Sequence, residues 1–271
     1  MATVLQPDRV VTCNGVQVNQ YFLTVNNPFH IDMPTSEMNK VIGVTIHNTD
    51  WISVIQGSTP AEQYTRATVN GNMNDVRVHY YVDDKCAWQN LPLNRAGWHA
   101  ADGKGDGNRK TIAIECIMSP NYNGIDQSAE LNCARLAAYL LHEYNLDINH
   151  LYTHTHWLNV KNGKHGDVDF LNTDPSPEKR CPLYILPHWD EFKSKVQDYL
   201  NELNNGNTIE YKDDHFVSLK KGTPIYPNAG ANTRMCGIVK TTCKFQIVEK
   251  RSAYGVTWGR LKSNKGWVKL K

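Results

Sequence analysis

The chain lacks any apolar run of about 18 residues, the length a membrane-spanning helix needs, and its mean hydropathy is −0.54 over 271 residues. The N-terminal stretch MATVLQPDRVV has no apolar segment behind a basic start, so no secretory signal is expected and synthesis in the cytoplasm is. No sign of charge dominates: 29 Lys and Arg stand against 27 Asp and Glu, which argues against a general nucleic-acid binder. There is no C-x-x-C pair, which excludes zinc-ribbon and thioredoxin motifs, and the seven cysteines are irregularly spaced, unlike a disulfide framework. The stretch GDGN (Gly105 to Asn108) lacks the G-x-x-x-x-G-K-[ST] spacing of a phosphate loop and reads instead as a loop at the edge of a groove. Internal repeats are absent as well.

What remains is a globular composition, 40% hydrophobic and 21% charged, with clear element signals. VIGVTIHNT (Val41 to Thr49) is β-branched and apolar and reads as a buried strand. Thr59, Pro60 and Glu62 supply an N-cap, an N1 proline and an N3 acid for a helix start. VHYYVDD and CAWQNLP read as two strands joined at Asp83-Asp84-Lys85, and TIAIECI (Thr111 to Ile117) and LYTHTHW (Leu151 to Trp157) as further strands. Leu131, Ala134, Leu136, Leu140, Leu141 and Tyr144 recur at helical spacing, as do Trp189, Phe192, Val196, Tyr199, Leu200 and Leu203. Strands alternating with helices predict an α/β domain with a central sheet over 1–203, and the Asn- and Gly-rich 204–214 predicts a linker. From 215 to 271 short strands separated by Gly, Asn and Ser predict a small β-barrel.

Eleven histidines point towards metal or acid-base chemistry. Catalytic zinc sites take three His, Cys or carboxylate ligands and leave one position for water. His47 ends the first strand, His154 lies in the late strand and Cys181 follows in KRCP. Each alone reads more readily as a packed side chain.

The order TIHNT, VHYYVDD, NRAGWHAADGKGDGNRKTIAIE, THTHW, KRCP resembles the zinc-dependent N-acetylmuramoyl-L-alanine amidases of the amidase-2, phage-endolysin type over about residues 40 to 203. The resemblance implies a mixed central sheet flanked by helices, with peptidoglycan as substrate. It implies His47, His154 and Cys181 as Zn2+ ligands, Glu115 as the catalytic carboxylate and Lys179 as the stabiliser of the oxyanion. It also implies Trp98, His99 and Asn108 along the substrate groove. Two features depart from the family pattern. Between Trp157 and Lys179 stand 21 residues where the family has a few, and their TDPSP motif makes Asp174 a competitor for the place of Cys181. The lysine at the family's offset and the strength of thiolate as a zinc ligand favour Cys181. Val78 stands where some phage members carry a catalytic tyrosine, which leaves the proton work to Glu115.

His156, two residues after His154, is expected on the same strand face. His79 is a candidate groove residue. TWGRLKSNKGWVKL resembles the last strands of a bacterial SH3-like cell-wall-binding domain, whose Trp258, Trp267 and Tyr226 would offer stacking faces. From residue 217 onward Glu249 is the single acidic residue amid many lysines and arginines, a balance suited to anionic wall polymers. The composite expectation is an endolysin that cuts between N-acetylmuramic acid and L-alanine and stays in the cytoplasm until lysis. A stem-peptide endopeptidase and a non-catalytic peptidoglycan-recognition protein remain the alternatives.

Overall fold

The computed structural model describes residues 4–23, 36–166, 180–205, 215–227, 229, 235–253, 256–263 and 265–270. The chain divides into two compact units, Met1–Gly206 and Asn207–Lys271.

Unit one is built on a seven-stranded mixed sheet, ordered β1-β2-β5-β4-β6-β3-β7. These strands are β1 (Arg9–Cys13), β2 (Val16–Gln20), β3 (Gly43–Asp50), β4 (Tyr80–Val82), β5 (Ala87–Gln89), β6 (Thr111–Met118) and β7 (Leu151–Thr153). β3, next to the β7 edge of the sheet, runs parallel to both β6 and β7. Side chains alternate between faces along a strand. Val44 and Ile46 of β3 and Ile112, Ile114, Cys116 and Met118 of β6 therefore enter one apolar core. That face is covered by α3 (Gly124–Glu143) and α5 (Trp189–Asn204), through Leu136, Leu140 and Leu141 of the former and Phe192 and Val196 of the latter. The remaining side chains of β3 and β6 face α1 (Pro60–Val69), α2 (Asp106–Lys110) and α4 (His154–Lys161). Register matters here, because a slip of one residue would carry His47 into the apolar core.

Local chemistry accounts for these elements. Thr59 caps α1 by accepting from the Glu62 amide, and Asp83 in the β4–β5 turn accepts from the amides of Lys85, Cys86 and Ala61. Asn123 and Asp126 form a capping box at the start of α3. Two expectations need correction. LYTHTHW is a strand only as far as Thr153, whose hydroxyl accepts from the His156 amide and starts α4, so His154 is the first residue of a helix. His156 accordingly leaves the expected face and packs against Tyr152 and Trp157, with ring centroids 4.8 and 4.7 Å apart. GDGN, read as a loop, contributes Asp106 to Asn108 to the short helix α2.

In unit two, β8 (His215–Leu219), β11 (Cys243–Ala253), β12 (Val256–Leu261) and β13 (Trp267–Lys269) form an antiparallel sheet, ordered β13-β12-β11-β8. Strands β9 (Pro224–Ile225) and β10 (Gly237–Ile238) pair separately. Leu219, Ile225, Val239, Ile247, Leu261 and Val268 make its core. Trp258 and Trp267 are buried, and the half-buried ring of Tyr226 meets Trp258 edge-on at 5.1 Å.

Candidate metal centre and active site

The sequence places His47 at a strand end, but β3 continues to Asp50 and His47 lies within it; His154 opens α4 and Cys181 lies beyond that helix, outside any strand or helix. Their donor atoms converge. His47 Nδ1 lies 3.1 Å from His154 Nδ1 and 3.8 Å from Cys181 Sγ. All three donor atoms lie within 4.8 Å of one another, the only such grouping of His, Cys or carboxylate donors among the described residues. The residues are 1%, 4% and 2% exposed, so water competes poorly for them. Two imidazoles and a thiol brought together in this way can hold a metal ion. Asp174 and Lys179 lie outside the described residues.

Each donor has a structural reason for its place. Trp157, one turn along α4, donates from Nε1 to Thr45 Oγ1 at 2.9 Å, and Thr45 is bonded to Thr111 at 2.7 Å. These contacts tie the helix bearing His154 to the strand bearing His47. Gly107 lets α2 lie close by: a Cβ there would come within 2.6 Å of both Trp157 Cγ and Ala100 Cβ.

His47 turns its other nitrogen, Nε2, to His99 Nδ1 at 3.1 Å. With Nδ1 of His47 given to the metal side, Nε2 carries the proton and His99 Nδ1 accepts it. Burial holds the His99 imidazole well below its ordinary range, helped by the neighbouring His79 and His154, and this keeps it a neutral acceptor. His99 thus stands behind the metal donors rather than lining a groove. Asn108 is likewise buried, at 1% exposed. Its Oδ1 accepts from the amides of His99 and Ala100 (2.7 and 2.8 Å) and its Nδ2 donates to Gly103 O at 3.0 Å. Its side chain is committed to the loop that carries His99, where the sequence pointed to substrate. Trp98, at 46% exposed, is the member of the trio that faces solvent. His79, another expected groove residue, is buried between the Ala113 amide and Arg95 O, at 3.1 and 2.9 Å.

Glu115 is the residue of β6 paired in register with His47, and Tyr81 of β4 pairs with Glu115 on its other side. Paired residues of parallel strands share a face, so the half-buried carboxylate lies on the metal-donor side of the sheet. The phenols of Tyr64 and Tyr81 are raised above their ordinary range, chiefly by burial and further by the charge of Glu115. Their rings stack with centroids 5.3 Å apart.

The model of the N-acetylmuramoyl-L-alanine amidase family, Amidase_2, matches residues 37–181, a span from just before β3 to Cys181. The chain belongs to this family. Relatives include the N-acetylmuramoyl-L-alanine amidase CwlA of a Bacillus species, 35% identical over 70% of each chain. XlyA of Bacillus subtilis (strain 168), of the same description, is 31% identical over 56% of this chain and 43% of its own. The chain spans 63% of CwlH from the same strain. Among solved structures, the catalytic domain of XlyA is 28% identical with a TM-score of 0.51, over 67% of this chain and 99% of that one. The PlyG catalytic domain gives 28% and 0.52, over 68% of this chain and 94% of that one. This is the amidase catalytic-domain fold, a mixed sheet flanked by helices.

The signals that sequence reasoning passed over are Asn48 and Thr155, each directly following a histidine donor; the contacts they make depend on the fold and leave no motif.

Proposed function

We propose that the protein is a zinc-dependent peptidoglycan hydrolase that cleaves the amide between the lactyl group of N-acetylmuramic acid and L-alanine. The observation that carries this is the convergence of His47, His154 and Cys181 on the face of the sheet that also bears Glu115. The donor set fits zinc. Tetrahedral bonds of about 2.0–2.1 Å to nitrogen and about 2.3 Å to sulfur separate the donors by about 3.3 and 3.6 Å. Here His47 Nδ1 stands 3.1 and 3.8 Å from the other two donors, and all three lie within 4.8 Å of one another. Three protein ligands leave a coordination position for substrate or water, the pattern of a catalytic site. When bound, the ion supplies Lewis-acid polarisation of a carbonyl and acidifies water.

The protein's own groups do the rest. The Glu115 carboxylate takes a proton from the attacking water as its oxygen bonds to the lactyl carbonyl carbon. It returns that proton to the amide nitrogen as the C–N bond breaks, leaving an L-alanine amine and a lactyl carboxylic acid whose remaining proton is lost at neutral pH. Lys179, at the position the family pattern requires, balances charge on the carbonyl oxygen. Trp98 offers an exposed ring to the substrate. His99 and Asn108 keep His47 oriented. The second unit, with its basic surface and short antiparallel strands, is an SH3-like module that holds the enzyme on the wall.

Purified protein incubated with bacterial cell walls, with and without chelator, tests this reading. Release of new N-terminal L-alanine that chelator abolishes and zinc restores is expected. A different new N-terminus identifies an endopeptidase, and wall binding without any release identifies a recognition protein; either outcome contradicts the proposal.

A further inference from the structure

Each histidine donor is followed by a side chain that grips the segment carrying Cys181. Asn48 Oδ1 accepts from the backbone N–H groups of Tyr184 and Ile185, at 2.9 and 3.2 Å. Its Nδ2 donates to Cys116 O at 3.0 Å and lies 3.2 Å from Met118 Sδ, which fixes the amide against β6. Thr155, fully buried at the start of α4, makes a closed exchange with Cys181 itself. Its Oγ1 accepts from the Cys181 N–H at 3.0 Å. Its own N–H and hydroxyl both donate to Cys181 O, at 3.1 Å each. Residues 180–185 form no strand or helix, so no ladder places the sulfur. These side chains do, and each is one peptide bond from an imidazole donor.

We propose, resting on the zinc reading above, that Asn48 and Thr155 are positioning residues of the metal centre. They hold the Cys181 thiolate against the two imidazoles, so that loss of either weakens the sulfur–metal bond ahead of the nitrogen–metal bonds. The physical basis is the cost of stranding buried backbone N–H groups: once the acceptor is gone, the segment moves to find another. Groups of this kind around metal ligands change affinity by about 10–100-fold when removed.

The test uses the full-length protein stripped of metal and reloaded with Co(II). It reads the near-ultraviolet thiolate-to-cobalt band, and zinc affinity by competition with a chromophoric chelator. Thr155→Val, which keeps the shape of the side chain, and Asn48→Ala are expected to weaken zinc binding by about 10–100-fold and diminish the band, while Thr155→Ser stays within about threefold of wild type. Cys181→Ser sets the zero of the band. A wild-type protein with no thiolate band overturns the metal assignment itself. A normal wild-type band that Thr155→Val and Asn48→Ala leave unchanged, with unchanged zinc affinity, overturns the clamp alone. So does a Thr155→Ser protein as impaired as Thr155→Val, since the hydroxyl would then not be the agent.

Discussion

On β3, Val44 and Ile46 point under α3 and α5, whereas Thr45 and His47, their immediate neighbours, point towards α4 and the metal donors. The apolar face holds its helices by burial, which is non-directional and tolerates exchange of one aliphatic group for another of similar volume. The opposite face has an apolar cluster of its own, in which Ala61 and Tyr64 of α1 meet Tyr81, Ala113 and Ile117, but around the donors it is held by specific hydrogen bonds: Trp157 to Thr45, Thr45 to Thr111, Asn108 to the loop of His99, Thr155 to Cys181. Damage to the first face changes how much protein is folded. Damage beside the donors on the second changes chiefly what the folded protein does, while its buried groups, His79 among them, also carry stability. The two-residue period of β3 thus gives Val44 and Ile46 to the helices and Thr45 and His47 to the surroundings of the candidate donors.

The sharpest break in that division is expected from Glu115→Gln. Zinc content and thermal midpoint should stay at wild-type values while turnover on muropeptides falls by about 10²–10⁴-fold, as for loss of a general acid-base group. Near-normal turnover would make the carboxylate structural. On the other face, Phe192→Ala removes a fully buried ring between α5 and α3 and should cost about 3–5 kcal/mol in urea unfolding. The molecules still folded should bind zinc as before.

His79 gives a pH-dependent test on the chemical side of the sheet. Burial pushes its imidazole down from 6.5 to about 4, against a weaker upward pull from its bond to the Arg95 carbonyl. Between those values the unfolded chain binds a proton that the folded chain excludes. Its contribution to stability is therefore complete above pH 6.5 and is lost as pH falls towards 4. Urea unfolding of wild type and His79→Gln at pH 7 and 4.5 should show wild type losing about 2–3 kcal/mol more than the variant. Equal losses would mean that His79 is protonated in the fold. The smallest effect is expected from Trp98→Ala: KM raised by the equivalent of about 0.5–1.5 kcal/mol, with kcat unchanged. A fall in kcat instead would place the ring closer to the chemistry than the groove rim.

Much of this fold was legible because its signals are local. The β-branched run of β3, the Thr59–Pro60–Glu62 start of α1 and the helical periodicity of α3 and α5 all reflect neighbours a few residues apart. The β1–β2 hairpin is absent from the sequence expectations although Asn14-Gly15 between VVTC and VQVN is a strong hairpin signal, with both turn residues at positive φ, 45° and 81°. The start of α4 reads as strand because its alternating Thr and His residues make a β pattern, while the deciding hydrogen bond, from the His156 amide to the Thr153 hydroxyl, is a cap. The candidate metal donors are legible as motifs but not as a cluster, since they come from within a strand, from a helix start and from an irregular segment. His99 and Asn108 are expected along the groove and the fold buries both, because burial is a property of the packed loop and not of its sequence.

The central claim is that one sulfur and two imidazole nitrogens surround a single zinc ion. Zinc K-edge X-ray absorption on the purified protein tests it directly. The account predicts one sulfur at about 2.3 Å and nitrogen neighbours at about 2.0–2.1 Å, the sulfur vanishing in Cys181→Ser and persisting in Asp174→Ala. A first shell of nitrogen and oxygen alone in the wild-type protein would contradict it.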